Sequence, residues 1–220
     1  MSATDAFTAA RRHMVDSQLR PNKVNDPRIV DAMLAVPREA FVPPAYRGVA
    51  YMDDDVPLAP GRSLLEPLVL ARLLQFAEPG PDDIALDVGG GTGYSAAILS
   101  RLVARVVAVE SDAALTAETP KVLAALGAGN VTLVTGALEQ GAAGKGPYSL
   151  ILLNGAVDFI PDELQRQLAD GGRLLAVLAN DGVGEAVMVR RTGDLFPRRP
   201  LFNANSGRLP GFRREAGFVF

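Results

Sequence analysis

Ile84-Ala85-Leu86-Asp87-Val88-Gly89-Gly90-Gly91-Thr92-Gly93-Tyr94-Ser95-Ala96-Ala97 decides the fold. Its first five residues form a short apolar run, the pattern of a strand buried on both faces. Gly89, Gly90, Gly91 and Gly93 follow within five positions, and from Tyr94 the chain reads as a helix start. Strand, glycine loop and helix in that order is the nucleotide-binding unit of doubly wound α/β folds. Glycine lets the backbone approach a ligand that a Cβ would block. The helix start adds free N–H groups and a partial positive charge.

Two cofactor classes use such a loop. Gly91-Thr92-Gly93-Tyr94-Ser95-Ala96 fits the dinucleotide pattern G-x-G-x-x-A. The longer run Asp87-x-Gly89-x-Gly91-x-Gly93 fits better the acidic-x-G-x-G-x-G loop of S-adenosyl-L-methionine (AdoMet)-dependent methyltransferases. There the acid ends the strand and faces the methionine end of the cofactor. Asp87, Gly89, Gly90, Gly91, Thr92, Gly93 and Tyr94 are the candidate cofactor residues of the loop.

The flanking sequence repeats the alternation. Arg105–Val109, Val131–Val134, Leu150–Leu153 and Leu174–Leu178 read as strands, and Ala186–Val189 and Gly217–Phe220 as two more. Helices are expected over residues 1–20, from Pro27 behind a capping Asp26, over Pro67–Phe76, over Ala113–Leu126 and over Pro161–Leu168 with Asp158 as a cap. The result is a seven-stranded, mainly parallel sheet of the doubly wound, Rossmann-like type, with added N-terminal helices. Residues 1–220 read as one domain, with 1–80 forming helices and a substrate-side loop and 81–220 the cofactor-binding core. Residues 37–63, with five prolines, read as an irregular connection.

Glu110 ends the second strand of the core, 17 residues after Gly93. In a doubly wound sheet that strand end lies beside the glycine loop, where a carboxylate can accept hydrogen bonds from both ribose hydroxyls. Ser111 follows it. Ala137 and Leu138, after the third strand, are placed to meet adenine. Asn154, after the fourth, is placed to face the methyl donor or the substrate.

The 220 residues are 48% hydrophobic and 21% charged, with a net charge of −3, so there is no global basic field for nucleic acid. No cysteine is present, which excludes disulfides, thiolate metal sites and a cysteine nucleophile. The N-terminus lacks an apolar signal core and no run approaches membrane-spanning length, so the expectation is a soluble cytoplasmic protein. His13 is the only histidine and reads as a surface residue. Asp53-Asp54-Asp55 reads as solvated loop charge, and no metal site is expected. Methyl transfer needs neither histidine nor metal, because a substrate carboxylate is already ionised at pH 7. Oligomeric state is open.

The chain resembles the protein-L-isoaspartate O-methyltransferases over nearly its whole length. The resemblance is carried by Val36-Pro37-Arg38-Glu39 with Phe41-Val42-Pro43; by Ala50-Tyr51-x-Asp53; by Pro57-Leu58 with Gly61; by Pro67-x-x-x-Ala71; by Leu86 to Tyr94; by Val107 to Glu110; and by Ile160-Pro161 through Gly171, Gly172 and Arg173-Leu174. It implies an AdoMet cofactor and methylation of the α-carboxyl of L-isoaspartyl residues in damaged protein or peptide substrates, a repair reaction. The ester then closes to a succinimide, part of which opens to normal aspartate.

Three places depart from the family pattern. Its Ile-Ser-Gln-Pro is Leu64-Leu65-Glu66-Pro67 here, so the serine that touches the substrate carboxylate falls at Leu65 and the glutamine at Glu66. Ser63 is a candidate substitute for that serine. With Leu65, Glu66 and Asn154 it makes up the candidate catalytic set. The family's Gly-Asp-Gly is Gly136-Ala137-Leu138, and its Tyr-Asp is Tyr148-Ser149. Three other readings compete: a methyltransferase of the same fold with another acceptor, a non-catalytic AdoMet-binding module, and an NAD oxidoreductase.

Overall fold

The computed structural model describes residues 3–180 and 182–213. The chain opens with α1 (Ala3–Met14), α2 (Pro27–Ala35), the short strands β1 (Val56–Ala59) and β2 (Arg62–Leu64), and α3 (Pro67–Ala77). The glycine-loop unit follows as β3 (Ile84–Val88) and α4 (Tyr94–Leu99). Then come β4 (Arg105–Glu110), α5 (Thr119–Ala125), β5 (Val131–Thr135), β6 (Tyr148–Val157), α6 (Asp162–Arg166), β7 (Leu168–Leu178), β8 (Glu185–Arg190) and β9 (Arg198–Asn203). Seven strands form one sheet in the order β5-β4-β3-β6-β7-β8-β9, with β1 and β2 a separate antiparallel pair. Strands β3 to β7 pair in parallel, and β8 and β9 pair antiparallel at one edge. The chain runs from β3 to β5 on one side and returns to β6 beside β3. That reversal is the topological switch point where open α/β sheets bind ligands, at the carboxyl ends of the strands.

Alternate residues of each strand serve opposite faces. Ala85, Leu150 and Leu152 pack with α1 to α4 in one core, which runs continuously from Met14 to Ala204. Leu86, Val88, Ile151 and Leu153 pack on the other face with Leu138, Leu164, Leu209 and Phe212. At the foot of the sheet, buried Arg173 donates to the carbonyls of Ala77, Glu78 and Ser149 and to both carboxylate oxygens of Asp83, at 2.6 and 3.0 Å. That guanidinium ties α3 to the sheet. No helix among the described residues is long and apolar enough to cross a membrane.

The core strands lie where the apolar runs place them, and Asp26 caps α2 by accepting from the Arg28 amide. Other expectations are corrected. The helix expected over residues 1–20 ends at Met14; its last stretch widens into a π-turn over Val15–Leu19 and closes with Lys23 left-handed at φ 65°. Arg11 of this helix turns inward to Glu39, Tyr51 and the Leu34 carbonyl. Residues 37–63 are not irregular throughout, since β1 and β2 form a hairpin around Gly61 at φ 71°. Strands of four and three residues, with Pro57 inside the first and Pro60 in the turn, show no alternation to read. Helix α5 starts only at Thr119, with Pro120 in its first turn, where the missing N–H costs nothing. Helix α6 stops at Arg166 because Leu168 already pairs with Tyr148 in the sheet, and Asp158 pairs with Arg208 instead of capping it. The described seventh strand is Arg198–Asn203, an edge strand whose charges and Pro200 hide it. Residues 217–220, expected as a strand, lie outside the described residues.

Replacing Arg173 by methionine strands the Asp83 carboxylate and three carbonyls, and is expected to cost about 3–5 kcal/mol of stability. Urea unfolding measures this, and a loss below about 1 kcal/mol would refute the anchoring role.

Candidate active site

At the switch point, Val88 pairs with Leu153, which sets Gly89 and Asn154 side by side. Strand β6 carries a bulge there: between the pairs Leu152–Leu175 and Ala156–Val177, three residues of β6, Leu153 to Gly155, run opposite Ala176 alone on β7. The bulge re-aims Asn154 and Gly155 at the strand ends. Gly89, Gly91 and Gly93 have φ of 70°, 60° and 93°, the left-handed region that favours glycine.

Asp87 and Glu110 end adjacent strands and titrate in opposite directions. The fully buried Asp87 carboxylate accepts from Ser95 Oγ at 2.8 Å and from Asn154 Nδ2 at 2.7 Å. Burial pushes its pKa up to about 6 against the pull of those two bonds, and the nearby charge of Glu110 adds to the rise. Glu110 is also desolvated, but Arg62 and backbone amides outweigh burial and hold its pKa below the usual range. Its Oε1 accepts from Arg62 Nη1 at 2.5 Å and from the Ser111 and Asp112 amides at 2.8 and 3.1 Å. Its Oε2 accepts from Arg62 Nη2 at 2.7 Å and from the Gly91 amide at 2.9 Å. Glu110 therefore faces the glycine loop as its position predicts, with a guanidinium already on it. Arg62 also donates to the Gly89 carbonyl at 3.0 Å. Only the tertiary pairing reveals it, because an arginine 48 residues from Glu110 carries no local signal.

The remaining candidates divide. Gly89 and Gly90 line a cavity of about 10 Å³ with Ser63, Leu65 and Asn154, room for about one water at most. Leu138 is buried beside Gly89, and Ala137 precedes it as the N-cap of a 3₁₀ turn. Tyr94 also lines this cavity, but its polar atom and that of Thr92 are bonded elsewhere. Thr92 Oγ1 donates to the Phe41 carbonyl at 2.5 Å. Tyr94 is buried edge-on to Phe41 at 5.6 Å, under the Arg38 guanidinium at 4.9 Å, with its hydroxyl on Met33. Both hold the loop to the N-terminal layer instead of presenting a polar group to a ligand. The amide nitrogen of Asn154, expected to meet donor or substrate, is spent on Asp87 and on the Val88 carbonyl.

The turn before α3 is built around Asp55. Its carboxylate accepts from Ser63 Oγ at 3.1 Å, the Glu66 amide at 2.8 Å, Ser206 Oγ at 2.8 Å and the Gly207 amide at 2.8 Å. Asp55 is thus not the solvated loop charge its sequence suggests. Leu65 is buried, its carbonyl accepting from the buried Arg38 at 2.9 Å. Glu66 is half-buried beside Asp53, Asp54 and Asp55. Burial first, then those three carboxylates, push its pKa up to about 7. Near neutrality Glu66 is therefore part protonated and able to donate, as a glutamine would.

The residues fit an AdoMet-type cofactor in chemistry: a side-chain-free cradle at Gly89 and Gly91, a carboxylate on the Gly91 amide for a diol, and apolar Leu138 for a base. The space itself is held by the protein. A Cβ built on Gly89 would lie 2.7 Å from Leu209 Cδ2, and one on Gly91 2.5 Å from Leu58 Cδ1.

Comparison with known proteins points to one family. The family model described as Protein-L-isoaspartate(D-aspartate) O-methyltransferase matches residues 9–196. The chain is 38% identical to the protein-L-isoaspartate O-methyltransferase of Methanoregula boonei, over 84% of this chain and 86% of that one. It is 36% identical to that of Koribacter versatilis, over 89% and 88% of the two chains. A solved protein-L-isoaspartate O-methyltransferase shares the fold at TM-score 0.81 and 24% identity, covering 91% of this chain and 66% of that one. A Plasmodium falciparum structure of the same description, in complex with S-adenosyl-L-homocysteine, superposes at TM-score 0.77 and 17% identity, over 92% and 97%.

Asp87 supplies a pH-dependent prediction. Folded, it keeps its proton to about pH 6; unfolded, it loses it near 4. Between those values the folded chain binds more protons, so Asp87 makes stability fall as pH rises from 4 to 6, and the penalty is complete above 6. Asp87→Asn removes the charge; its carbonyl oxygen can accept from Asn154 Nδ2 and its amide can donate to Ser95 Oγ in place of the present bond. It is expected to be roughly 1–3 kcal/mol more stable than the parent at pH 7.5, with the gap closing by pH 4. Urea unfolding at the two pH values checks it; a gap that does not change with pH would count against the assignment.

Proposed function

Because this chain belongs to the protein-L-isoaspartate O-methyltransferase family, we propose that it methylates the α-carboxylate of L-isoaspartyl residues in damaged proteins and peptides, with AdoMet as methyl donor. The observation that carries this reading is the Glu110 carboxylate on the Gly91 amide, at the switch point of a parallel sheet. The family relationship weighs against the other readings of the glycine loop.

AdoMet supplies a methyl on a sulfonium, so no general acid is needed for the leaving group. The acceptor carboxylate is an anion at neutral pH and needs no general base. The chain's task is alignment and exclusion of water. Gly89, Gly90 and Gly91 form the floor for the donor, Glu110 binds its ribose hydroxyls with Ser111 beside it, and Ala137 and Leu138 flank its base. Asp87 holds Asn154 and Ser95, and through them the strand ends, in place. Thr92, Gly93 and Tyr94 fix the loop from behind.

On the acceptor side, Leu65 offers the substrate no donor. Glu66, protonated, takes the part of the family's glutamine and donates to the substrate carboxylate. Ser63 completes the turn through Asp55. Residues 1–220 act as one methyltransferase domain, the N-terminal layer supplying the acceptor side and the sheet the donor side.

With labelled AdoMet, an isoaspartyl peptide is expected to accept methyl groups while its aspartyl twin does not. Labelling of neither, with cofactor binding intact, would sink the acceptor assignment. Glu66 loses its proton as pH rises through about 7, which sets two anions against each other. KM for the peptide is therefore expected to rise severalfold between pH 6 and 8.5 while kcat changes less. Glu66→Gln should abolish the rise, and a Glu66→Gln profile parallel to the parent's would remove Glu66 from the substrate contact.

A further inference from the structure

After β9 the chain does not leave the sheet. Residues 204–212 turn back over the carboxyl end of β6 and run parallel to it. The Ala156 amide donates to the Gly207 carbonyl at 2.9 Å, the Leu209 amide to the Ala156 carbonyl at 2.9 Å, and the Asp158 amide to the Phe212 carbonyl at 3.1 Å. Side chains fasten the same stretch. Asp55 accepts from Ser206 and Gly207, and Arg208 pairs with Asp158 at 3.2 Å. Leu209 and Phe212 are 3% and 1% exposed, as buried as the strands beneath them.

What this stretch covers is the cofactor cleft. Leu209 lies against the bare faces of both glycines at the switch point: a Cβ on Gly89 would be 2.7 Å from its Cδ2, and one on Gly155 2.9 Å from its Cγ. Leu138 closes in from the third side, 3.2 Å from the same Gly89 position. On the ribose side, Arg62 engages both oxygens of Glu110, which also accept three backbone amides. The groups fitted to a nucleoside methyl donor are thus each engaged by the chain itself. Both closing elements converge on Asp55, which accepts from Ser63 of the Arg62 strand and from Ser206 and Gly207. The segment also lies beyond the residues that match the family model.

We infer that residues 204–212, with Leu209 as the stopper and Arg62 as the latch on Glu110, form an autoinhibitory plug that competes with AdoMet for this cleft and must swing out before the donor binds. The plug rests on the AdoMet reading of the cleft. Asp55 ties the plug to the Ser63–Glu66 turn, so displacement of that turn by an acceptor peptide loosens the plug. A cleft closed most of the time binds its ligand with an apparent affinity reduced by the open fraction, so weakening the plug tightens binding.

The test uses the full chain and S-adenosylhomocysteine, so it does not depend on the acceptor. In the parent protein, saturating S-adenosylhomocysteine is expected to speed hydrogen exchange at the amides of Gly207 and Leu209. By titration calorimetry, Leu209→Ala is expected to tighten S-adenosylhomocysteine roughly tenfold. Asp55→Ala, which removes the anchor and keeps Leu209, should shift affinity in the same direction. Slower exchange over 204–212 on binding, or weaker binding by Leu209→Ala, would overturn the plug and make the segment a wall against bound cofactor. Binding with affinity and exchange unchanged would also overturn it while sparing the AdoMet reading. Absence of binding by all three proteins would overturn the plug and the AdoMet reading together. The exchange experiment needs no variant, so a misfolded substitution does not leave the outcome open.

Discussion

The ion pair between Arg62 and Glu110 is the constraint on which the site depends. A buried carboxylate must be fully hydrogen-bonded or lose its charge. Glu110 meets that demand with a guanidinium, the Gly91 amide of the loop and the amides of Ser111 and Asp112. One carboxylate thereby fixes the glycine loop, the end of β4 and the β1–β2 hairpin relative to one another. Removing either charge strands the other, so the hairpin and sheet are coupled more tightly than their small mutual contact suggests. An incoming diol has to replace the guanidinium on those oxygens, which makes the hairpin part of the binding equilibrium.

Two acids end neighbouring parallel strands, and their surroundings assign them different work. Asp87 has only neutral partners, Ser95 and Asn154, so burial wins and its proton is held to about pH 6. Glu110 has a cation and aligned amides, so it stays ionised despite burial. The first serves as an internal brace for the strand ends. The second presents a permanent negative charge to the cleft. Glu66 is a third case, raised to about 7 by burial and by a cluster of acids, and that places its titration in the range where an enzyme works. Environment, not residue type, separates the three roles.

The N-terminal layer explains why the loop holds its shape. Tyr94 and Phe41 stack edge to face under the buried guanidinium of Arg38, which donates to the Ala50 and Leu65 carbonyls. Thr92 bonds to the Phe41 carbonyl, and Thr119 of α5 to the Thr92 carbonyl. The glycine loop is therefore clamped from its far side by residues 38–50 and by α5. That leaves its other side free of side chains of its own.

Much of the fold was legible in the chain itself. Runs such as Ile84–Val88 and Leu174–Leu178 are apolar throughout because their strands are buried on both faces. Four glycines after Asp87 mark a turn that only a ligand-approaching backbone needs. From these alone the parallel sheet, the loop and the place of Glu110 followed. The hairpin at 56–64 and the edge strand at 198–203 were not legible, since prolines and charges interrupt any period in strands so short or so exposed. Nor was the use of the polar atoms of Thr92 and Tyr94, which bond to Phe41 and Met33 of the N-terminal layer. Arg62 on Glu110 and Leu209 on Gly89 join residues 48 and 120 positions apart. Local propensity and spacing carry no information about such pairs. Only the folded sheet, by bringing the carboxyl ends of β3, β4 and β6 to one edge, decides which distant side chains compete for the space between them.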